Sequence, residues 1–377
     1  MSDMLEFLSK SISIRSVYPE EMAFGKFVEG RLNKLGFSTR RQYVGKSRFN
    51  LFASRGKSPS TLFLCHLDTV AESLLWKSDP FKAMRSGDRV YGLGSYDMKG
   101  GIAAMLDAAE NTGGKMKVLF TCDEENISKG AWEAATNMQN WFHGIKVAIS
   151  PEPSFGSGIL ENAILLGRGG RIVVCVDVLG ISSHQAQAED SVDAIYAASI
   201  IINNVGSRLR MLNHRMLGKE FAFVREISGE SNGLSIPESA HFEIDMRIVP
   251  PTTPASAVAR INDLINALKR EKKLNNAIKY KIYLKKRDTP YLLPYTTDTR
   301  IPEVRRVLSS LRIAYDGRIK LGYGRSVADE NVLSTTLKIP VLRVGPSGGN
   351  AHTANEWVSI KSLCMLAGAY RSIISGA

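Results

Sequence analysis

The stretch TLFLCHLDTV, residues 61–70, is a run of apolar residues that ends in two ionisable side chains. The apolar part predicts a buried strand, and His66 and Asp68 follow at its end. Because side chains two residues apart on a strand share a face, we expect the imidazole and the carboxylate to lie side by side. A core histidine with a polar neighbour would explain an isolated pair of this kind equally well. Motifs elsewhere in the chain must distinguish a structural role from a functional one.

The overall composition is that of a globular protein. The 377 residues are enough for two domains, and 44% hydrophobic with 23% charged residues is ordinary for this class. No apolar run approaches the ~20 residues of a membrane span, and the N-terminus does not resemble a secretory signal. Four cysteines in apolar contexts, without any CxxC pair, indicate buried free thiols in a reducing compartment. We therefore expect a cytoplasmic protein.

The net charge of +12 permits binding to nucleic acid or attraction of anionic substrates. The Lys and Arg residues are scattered, however, and the one dense run, residues 268–276, follows a predicted helix. Such a run is typical of a solvated helix end. We expect neither a nucleic-acid partner nor a membrane partner.

Strand-like and helix-like segments alternate from about residue 30 to residue 150, which predicts a mostly parallel sheet sandwiched by helices. From residue 170 to residue 286 the order is strand, helix, two strands, helix, strand, as in ferredoxin-like α+β units. After residue 286 the alternation of helices and strands that is typical of an α/β domain resumes. We predict an α/β domain formed by residues 1–169 and 287–377, interrupted by an α+β insertion of residues 170–286.

Further acids and a histidine lie beside turns at predicted strand ends. Asp97 lies in a glycine-rich loop, residues 123–125 are three consecutive acids, Glu152 lies between prolines, and His352 is in a second glycine-rich loop. Open α/β sheets bind ligands at this edge, and clustered carboxylates repel one another unless a cation is bound. Imidazole nitrogen with carboxylate oxygen is a ligand set suited to Zn²⁺. The absence of cysteine among these residues favours an open catalytic site over a structural one.

Together these motifs resemble the co-catalytic dizinc amidohydrolase and exopeptidase family, which includes acetylornithine deacetylase, succinyl-diaminopimelate desuccinylase and carboxypeptidase G. The resemblance extends over nearly the whole chain and implies a zinc-exopeptidase-like fold with an inserted lid and dimerisation domain. It rests on HLDTV, WKSDPF, YGLGSYDMKGG, CDEE, PEPS, GISSHQAQ and GPSGGNAHTANEWV, which occur in the family's order.

The resemblance implies five metal ligands for two Zn²⁺ ions per subunit, with Co²⁺ or Mn²⁺ as possible substitutes. His66 and Glu152 would complete one site, and His352 and Glu125 the other. Asp97 would bridge the two ions, and a cis peptide is expected between Asp97 and Met98.

Four further roles follow from the same resemblance. Glu124 would be the general base, and Asp68 would accept the second ring N–H of His66 and fix its tautomer. His184, in the insertion, would reach the active site of a partner subunit and stabilise the oxyanion, which implies a homodimer through the insertion. Arg247 would bind the substrate carboxylate. A surface-loop histidine and a surface-strand arginine are the structural alternatives for the last two.

The motifs WKSDPF and GPSGGNAHTANEW look most similar to the acetylornithine, acetylcitrulline and acetyl-lysine deacetylase branch, with a role in arginine biosynthesis as the corresponding expectation. We therefore expect metal-dependent hydrolysis of an N-acyl-L-amino acid. Succinyl-diaminopimelate desuccinylase, a di- or tripeptidase, and a glutamate carboxypeptidase remain alternatives on the same site. A binding protein without catalytic activity is the alternative from another class, although all the proposed ligands and Glu124 are present.

Overall fold

The computed structural model describes residues 2–154 and 163–376. The chain forms two compact units, the first ending at Arg168 and resuming at Tyr295, the second running from Gly169 to Pro294. The second unit thus ends later than residue 286, where the insertion was expected to end. The extra segment belongs to it because the Tyr291 hydroxyl donates to the carbonyl oxygen of Val173 at 3.1 Å.

The strands are numbered in chain order. Before the insertion they are β1 (Ser38–Tyr43), β2 (Phe49–Arg55), β3 (Thr61–His66), β4 (Met84–Ser86), β5 (Arg89–Tyr91), β6 (Met116–Thr121), β7 (Val147–Ser150) and β8 (Ala163–Arg168). In the second unit they are β9 (Gly170–Leu179), β10 (Asn213–His214), β11 (Gly218–Lys219), β12 (Phe221–Gly229), β13 (Ser239–Ile248) and β14 (Lys279–Leu284). The last are β15 (Tyr295–Thr296), β16 (Lys320–Gly324), β17 (Val341–Val344), β18 (Gly348–Gly349) and β19 (Trp357–Ser359).

The helices are α1 (Ser2–Ser13), α2 (Met22–Lys34), α3 (Gly100–Thr112), α4 (Lys129–Asn137), α5 (Ala194–Arg208), α6 (Pro254–Arg270), α7 (Pro302–Ala314), α8 (Asp329–Thr336) and α9 (Ile360–Ser375). Shorter helical turns occur at Ser95–Lys99, Gln139–Phe142 and Gln185–Asp190. None of the helices in the described ranges combines the length and the apolar character needed to cross a membrane.

The first unit is built on a mixed sheet with the strand order β1-β2-β6-β3-β7-β17-β8-β15, and β16 also pairs with β8. The central strands β6, β3, β7 and β17 are parallel, whereas β1, β2 and β15 are antiparallel to their neighbours. This confirms the predicted α/β fold. Because parallel strands end at the same edge, the residues that follow β3, β6, β7 and β17 are brought together there.

Strand β3 is an apolar run because it lies in the core of the first unit. All six residues of β3 are buried, and the ring of Phe63 packs edge-on against Tyr370 of α9 with the centroids 5.1 Å apart. Full burial of a side chain of this size contributes about 1.5–3 kcal/mol. The core thereby fixes the position at which β3 ends, and with it the position of His66.

The second unit has a four-stranded antiparallel sheet in the order β12-β13-β9-β14. Chain order is strand, helix, strand, strand, helix, strand, which confirms the ferredoxin-like prediction. Alternate residues of β9, namely Val174, Val176 and Val178, form an apolar core with residues of α5 and α6. The residues between them belong to the opposite face of the sheet.

Candidate metal centre

His66 ends β3 with its ring buried between two acceptors. Its Nε2 atom lies 3.3 Å from Oδ1 of Asp97, and its Nδ1 atom lies 2.9 Å from the backbone oxygen of Asp68. Because Nδ1–H donates to a carbonyl, the ring has a fixed orientation, and a metal ion can take the place of the proton on the other nitrogen. The backbone therefore aims Nε2 of His66 at the carboxylate of Asp97.

His352 approaches the same carboxylate from another loop. Its Nε2 atom lies 3.3 Å from Oδ2 of Asp97 and 3.2 Å from Oε2 of Glu125. The two oxygens of Asp97 therefore face one histidine each. This is the arrangement expected of a carboxylate that bridges two cations.

The carboxylate of Asp68 does not make the expected contact with His66. Its Oδ1 atom lies 3.8 Å from Nδ1 of His66, which is too far for a hydrogen bond. The chain leaves the sheet after His66, so the carbonyl of Asp68 faces the ring instead. The carboxylate accepts the backbone N–H groups of Glu124 and Glu125 at 3.2 Å and 2.9 Å. Asp68 thus fixes the segment that carries the expected base and one ligand.

Glu152 follows β7 and is paired with a buried arginine that the sequence analysis did not identify. The guanidinium of Arg343, on β17, donates to a carboxylate oxygen of Glu152 and to Oε1 of Glu330, the latter at 2.6 Å. Its remaining Nη1 donates to the carbonyl oxygen of Pro153 at 3.0 Å. Arg343 is 1% exposed, so both of its ion pairs lie in a low-dielectric environment.

A second arginine completes this buried network. Nη1 of Arg168 donates to Oε2 of Glu330 at 3.0 Å, and the same guanidinium contacts Ser326. Glu330 is fully buried at the start of α8 and accepts from both arginines. Two arginines therefore balance two buried glutamates, one of which is the proposed metal ligand Glu152. The signal in the sequence is the pair of arginines within otherwise apolar strands, which a buried acid has to accompany.

Small residues let the backbone of this region pack closely. A Cβ atom at Gly345 would lie 2.0 Å from the carbonyl oxygen of Glu152, and one at Gly101 would lie 2.1 Å from that of Pro151. Both contacts are impossible for any residue with a side chain. The loop after β17 and the start of α3 thus bring β7, and with it Glu152, to the centre.

Glu356 fixes the loop that carries Asp97 and was also missed from the sequence. Its carboxylate accepts the backbone N–H groups of Gly94, Tyr96 and Asp97 at 2.8, 2.8 and 2.9 Å. Burial raises the pKa of Glu356 to about 8. The motif NEW contains it, but only the tertiary structure reveals which loop it binds. The predicted cis peptide between Asp97 and Met98 is confirmed.

The histidines of the centre bind protons strongly. The carboxylates of Asp97 and Glu125 raise the pKa of His352 to about 11. Burial alone lowers the pKa of His66, but hydrogen bonding to Asp97 and the charge of Glu124 outweigh it and raise this pKa well above its ordinary value. Protons therefore occupy the place of cations when no metal is bound.

The carboxylates of the centre are correspondingly difficult to ionise. Burial raises the pKa of Glu124 well above its ordinary value, and the charge of Glu152 adds to this effect. Burial also raises the pKa of Asp68 to about 7, and that of Glu152 to about 7 in spite of Arg343. Several carboxyl groups are thus crowded into one buried region, where their ionised forms are unfavourable without a cation.

The donor atoms of the centre fit a metal ion. Single ligand atoms of His66, Asp97 and Glu125 all lie within 4.8 Å of one another. Imidazole nitrogen and carboxylate oxygen together are ligands that Zn²⁺ and its neighbours in the periodic table accept. The mutual repulsion of these carboxylates is the physical reason for a cation at this position.

Two of the predicted site residues belong to the second unit. His184 is exposed, and its Nδ1 accepts the backbone N–H of Ala186 at 3.2 Å at the start of a short helical turn. Arg247 is buried on β13, where its guanidinium donates to the carbonyl oxygens of Lys219 and Leu217 at 2.8 Å and 2.6 Å. These contacts give Arg247 a structural role within its own unit, and its substrate contact stays a prediction.

Comparison with known protein families decides the assignment. The family model described as peptidase family M20/M25/M40 matches residues 62–376. The chain belongs to this family. The M20 family membership makes it a hydrolase of amide bonds and confirms the family recognised in the sequence.

Curated relatives share much of the length of this M20 chain. A succinyl-diaminopimelate desuccinylase from Buchnera aphidicola is 26% identical, covering 98% of this chain and 97% of the relative. One from Xylella fastidiosa is 32% identical over 52% of this chain and 55% of the relative. These relatives carry the activity that the sequence analysis gave as an alternative.

Solved structures share the fold of this M20 chain. A tripeptidase from Staphylococcus aureus matches with a TM-score of 0.79 at 18% identity, covering 99% of this chain and 97% of that one. An M20 metallo-carboxypeptidase from Sulfolobus solfataricus matches with a TM-score of 0.71 at 17% identity, covering 100% and 99%. At these identities the likeness concerns the fold.

Proposed function

We propose that this chain hydrolyses the amide bond of an N-acyl-L-amino acid. The observation that supports this most directly is the position of Asp97, whose two carboxylate oxygens face His66 and His352 at 3.3 Å each. Beside them, Asp68 fixes the segment that bears Glu124. A general base on this segment would be suited to activating a water molecule for attack on a carbonyl carbon.

Two Zn²⁺ ions per subunit are our proposal for the cofactor, with Co²⁺ or Mn²⁺ able to replace them. His66 and Glu152 would hold one ion, and His352 and Glu125 would hold the other. Asp97 would bind both ions. Bound in this way, the ions would polarise the amide carbonyl and acidify a water molecule.

Glu124 has the proton-transfer role in this proposal. Its carboxylate takes a proton from the attacking water and delivers it to the amide nitrogen as the C–N bond breaks. The raised pKa of Glu124, caused by burial and by the charge of Glu152, favours holding the proton between these two events. The backbone N–H contact with Asp68 fixes the segment that carries this side chain.

The candidate activities differ in the substrate that is hydrolysed. An N-acetyl amino acid such as N-acetylornithine, N-acetylcitrulline or N-acetyl-lysine is our first proposal, from the motifs WKSDPF and GPSGGNAHTANEW. Succinyl-diaminopimelate is the second, and it is favoured by the names of the curated relatives. Peptides are the third, since structural neighbours include a tripeptidase and a carboxypeptidase.

Assembly and location belong to the same proposal. We propose a homodimer through the second unit, in which His184 acts on the partner's active site and Arg247 contributes to substrate binding. A cytoplasmic location stays a prediction, made from the four cysteines, which are unpaired in the structure.

A substrate panel tests the proposed function. Purified chain with added Zn²⁺ or Co²⁺ is assayed on N-acetylornithine, N-acetylcitrulline, N-succinyl-diaminopimelate and dipeptides, with release of the free amine as readout. We expect the N-acetyl amino acids to give the highest kcat/KM. Preference for the succinyl compound would move the assignment to desuccinylation, and turnover of dipeptides alone would contradict deacylation altogether.

A further inference from the structure

A cluster of polar side chains lies on the face of the second-unit sheet that is opposite α5 and α6. The register of β9 and β13 places Cys175 opposite Glu243 and Asp177 opposite His241. All four alternate with the apolar residues that form the core with the helices. The pairing of two neighbouring strands therefore assembles a thiol, an imidazole and two carboxylates on one surface.

Three of these side chains offer donor atoms at close quarters. Sγ of Cys175 and Nε2 of His241 each lie 3.9 Å from Oε1 of Glu243. Single donor atoms of the three residues all lie within 4.8 Å of one another. Tetrahedral zinc, with bonds of about 2.0–2.3 Å, holds its ligand atoms about 3.3–3.8 Å apart. The distances between the donor atoms in this cluster are slightly longer than those in a tetrahedral zinc site.

The imidazole of His241 is already oriented for such a role. Its Nδ1 atom lies 2.7 Å from Oδ1 of Asp177, which also accepts the hydroxyl of Tyr283 at 3.2 Å. A carboxylate that accepts Nδ1–H selects the tautomer with a lone pair on Nε2. That lone pair is directed at the side where Cys175 and Glu243 lie.

The carboxylate of Glu243 supplies an independent indication of a missing ligand. Its side chain is 4% exposed, yet its Oε2 atom has no hydrogen-bond donor among the residues that the structure describes. A buried anionic oxygen without a donor is unfavourable, because it has lost its hydration without gaining a hydrogen bond. A bound cation would offset that loss.

Two neighbouring basic side chains contact the carboxylate of Glu243 and would compete with a metal ion for it. Nζ of Lys285 lies 2.5 Å from Oε1 of Glu243, and Nε of Arg225 lies 3.6 Å from Oε2. Their side chains are 41% and 38% exposed, so both can turn towards solvent. Lys281, which is paired with Asp177 across β14 and β9, is a further cation on this face of the sheet. The surrounding ion pairs join four carboxylates to three cations. The carboxylates are Asp177, Glu226, Glu243 and Asp245, and the cations are Arg171, Arg225 and Lys285.

We propose that Cys175, His241 and Glu243 form a second binding site for a thiophilic divalent ion of the zinc class. A thiolate, an imidazole and a carboxylate are a ligand set that such ions accept, and three protein ligands leave one position for water. The thiol of Cys175, which donates to Glu243 when no ion is bound, loses its proton to solvent on binding. This site belongs to the second unit, whereas the catalytic ligands belong to the first.

Cobalt titration of the full-length protein tests this proposal, because the proposed catalytic ligands are all nitrogen and oxygen donors. Sulfur-to-cobalt charge-transfer absorption in the near ultraviolet therefore reports Cys175 specifically. We expect the metal-free protein to develop this absorption on addition of Co²⁺ and to lose it when Zn²⁺ is added. Absence of the absorption at saturating Co²⁺ would overturn the proposal.

Three variants assign the signal. Cys175→Ser should abolish the absorption and lower the amount of cobalt bound, and His241→Gln should weaken the binding. Cys364→Ser, which changes a half-buried thiol outside the cluster, should leave the signal unchanged. Persistence of the absorption in folded Cys175→Ser protein, with circular dichroism as the check on folding, would refute the assignment.

The outcome is independent of the proposed amide hydrolysis. Cys175→Ser protein, reconstituted with Zn²⁺, should keep the wild-type kcat on whichever substrate the panel identifies. Failure of the cobalt signal would leave that kcat intact, and failure of the substrate panel would leave the cobalt signal intact.

Discussion

The carboxylate of Glu356 accepts the backbone N–H of Asp97 at 2.9 Å and thereby fixes the residue that faces both histidines of the candidate metal centre. Glu356→Gln places an amide N–H₂ opposite one of the three backbone donors that the carboxylate now accepts. We expect metal affinity to fall about 10–100-fold, as is typical when a group that orients a ligand is lost. Competition with a chelator measures this.

Glu230 offers a matched control, because it is exposed and Glu230→Gln makes the same chemical change. That variant should bind metal like the wild type. Equal metal affinity in the Glu356 and Glu230 variants would contradict a positioning role for Glu356.

Replacement of Glu124 distinguishes the role of the proposed general base from that of the proposed metal ligands. Glu124→Gln keeps the shape of the side chain and the backbone contact with Asp68, so fold and metal content should be unchanged. Turnover should fall about 10²–10⁴-fold, because general-base catalysis contributes about this much. Metal analysis together with steady-state kinetics checks both parts, and near-normal turnover would refute the assignment of the base.

The buried network around Arg343 should govern stability. Glu330→Gln leaves two buried arginines short of one counter-charge, which typically costs about 3–5 kcal/mol. Urea unfolding at neutral pH should show this loss, with Glu230→Gln as the unaffected control. A change within the error of the measurement would mean that the network contributes nothing to folding.

The same network predicts a pH dependence. Burial raises the pKa of Glu330, but Arg343 and Arg168 outweigh burial and lower this pKa to about 2 from its ordinary 4.5. A lowered carboxyl pKa contributes stability that is complete above the ordinary value and is lost as the pH falls towards the folded value. The stability difference between wild type and Glu330→Gln should therefore shrink as the pH falls from 4.5 towards 2, measured by urea unfolding across that range. A difference that grows in this window would contradict the sign.

Metal binding should release protons. The carboxylates around His352 raise its pKa to about 11, so its ring is protonated at neutral pH in the metal-free protein, and a metal ion has to displace that proton. Calorimetry of Zn²⁺ binding in buffers of different ionisation enthalpy counts the protons released. We expect net release and weaker binding at lower pH, and uptake of protons would contradict the pKa direction.

His184 gives a prediction about assembly. His184→Ala should lower kcat without loss of metal, because His184 belongs to the second unit and the five proposed ligands to the first. Mixing and refolding His184→Ala with Glu124→Gln protein should restore part of the activity if His184 acts across a dimer, since one site then receives both groups. Each variant refolded alone is the control, and no recovery in the mixture would contradict action in trans.

Part of the candidate metal centre was predictable because His66, Glu125 and Glu152 lie at or after the ends of the buried parallel strands β3, β6 and β7. Where an apolar run such as β3 stops, the parallel arrangement determines that the next polar side chains meet those of neighbouring strands. These three residues could therefore be grouped from the sequence. Asp97 and His352 follow β5 and β18 of a small antiparallel sheet, and they were grouped with the others through their glycine-rich motifs and the family resemblance. The ferredoxin-like order of the second unit followed from the alternation of helical and strand periods in the same way.

The supporting residues could not be predicted in this manner. Arg343 within an apolar strand signals a buried acid, but Glu330 looks like an ordinary helix residue, and the pairing of the two depends on which elements are neighbours. The same holds for Glu356, whose three backbone donors lie on a loop distant in sequence. Asp68 shows a further limit, because a period of two places it beside His66 only while the strand continues, and β3 ends at His66.

Tyr295 pairs with Arg168, which joins β15 to β8. This pairing brings together the residues that immediately precede and follow the second unit, Gly169–Pro294. Directly opposed residues of antiparallel strands have Cα atoms only about 4.5–5.5 Å apart. A short turn could therefore span the gap, and transplanting a different module between these two residues would leave the register of the surrounding strands unaltered. We therefore expect that this element can be replaced without changing the strands that flank it.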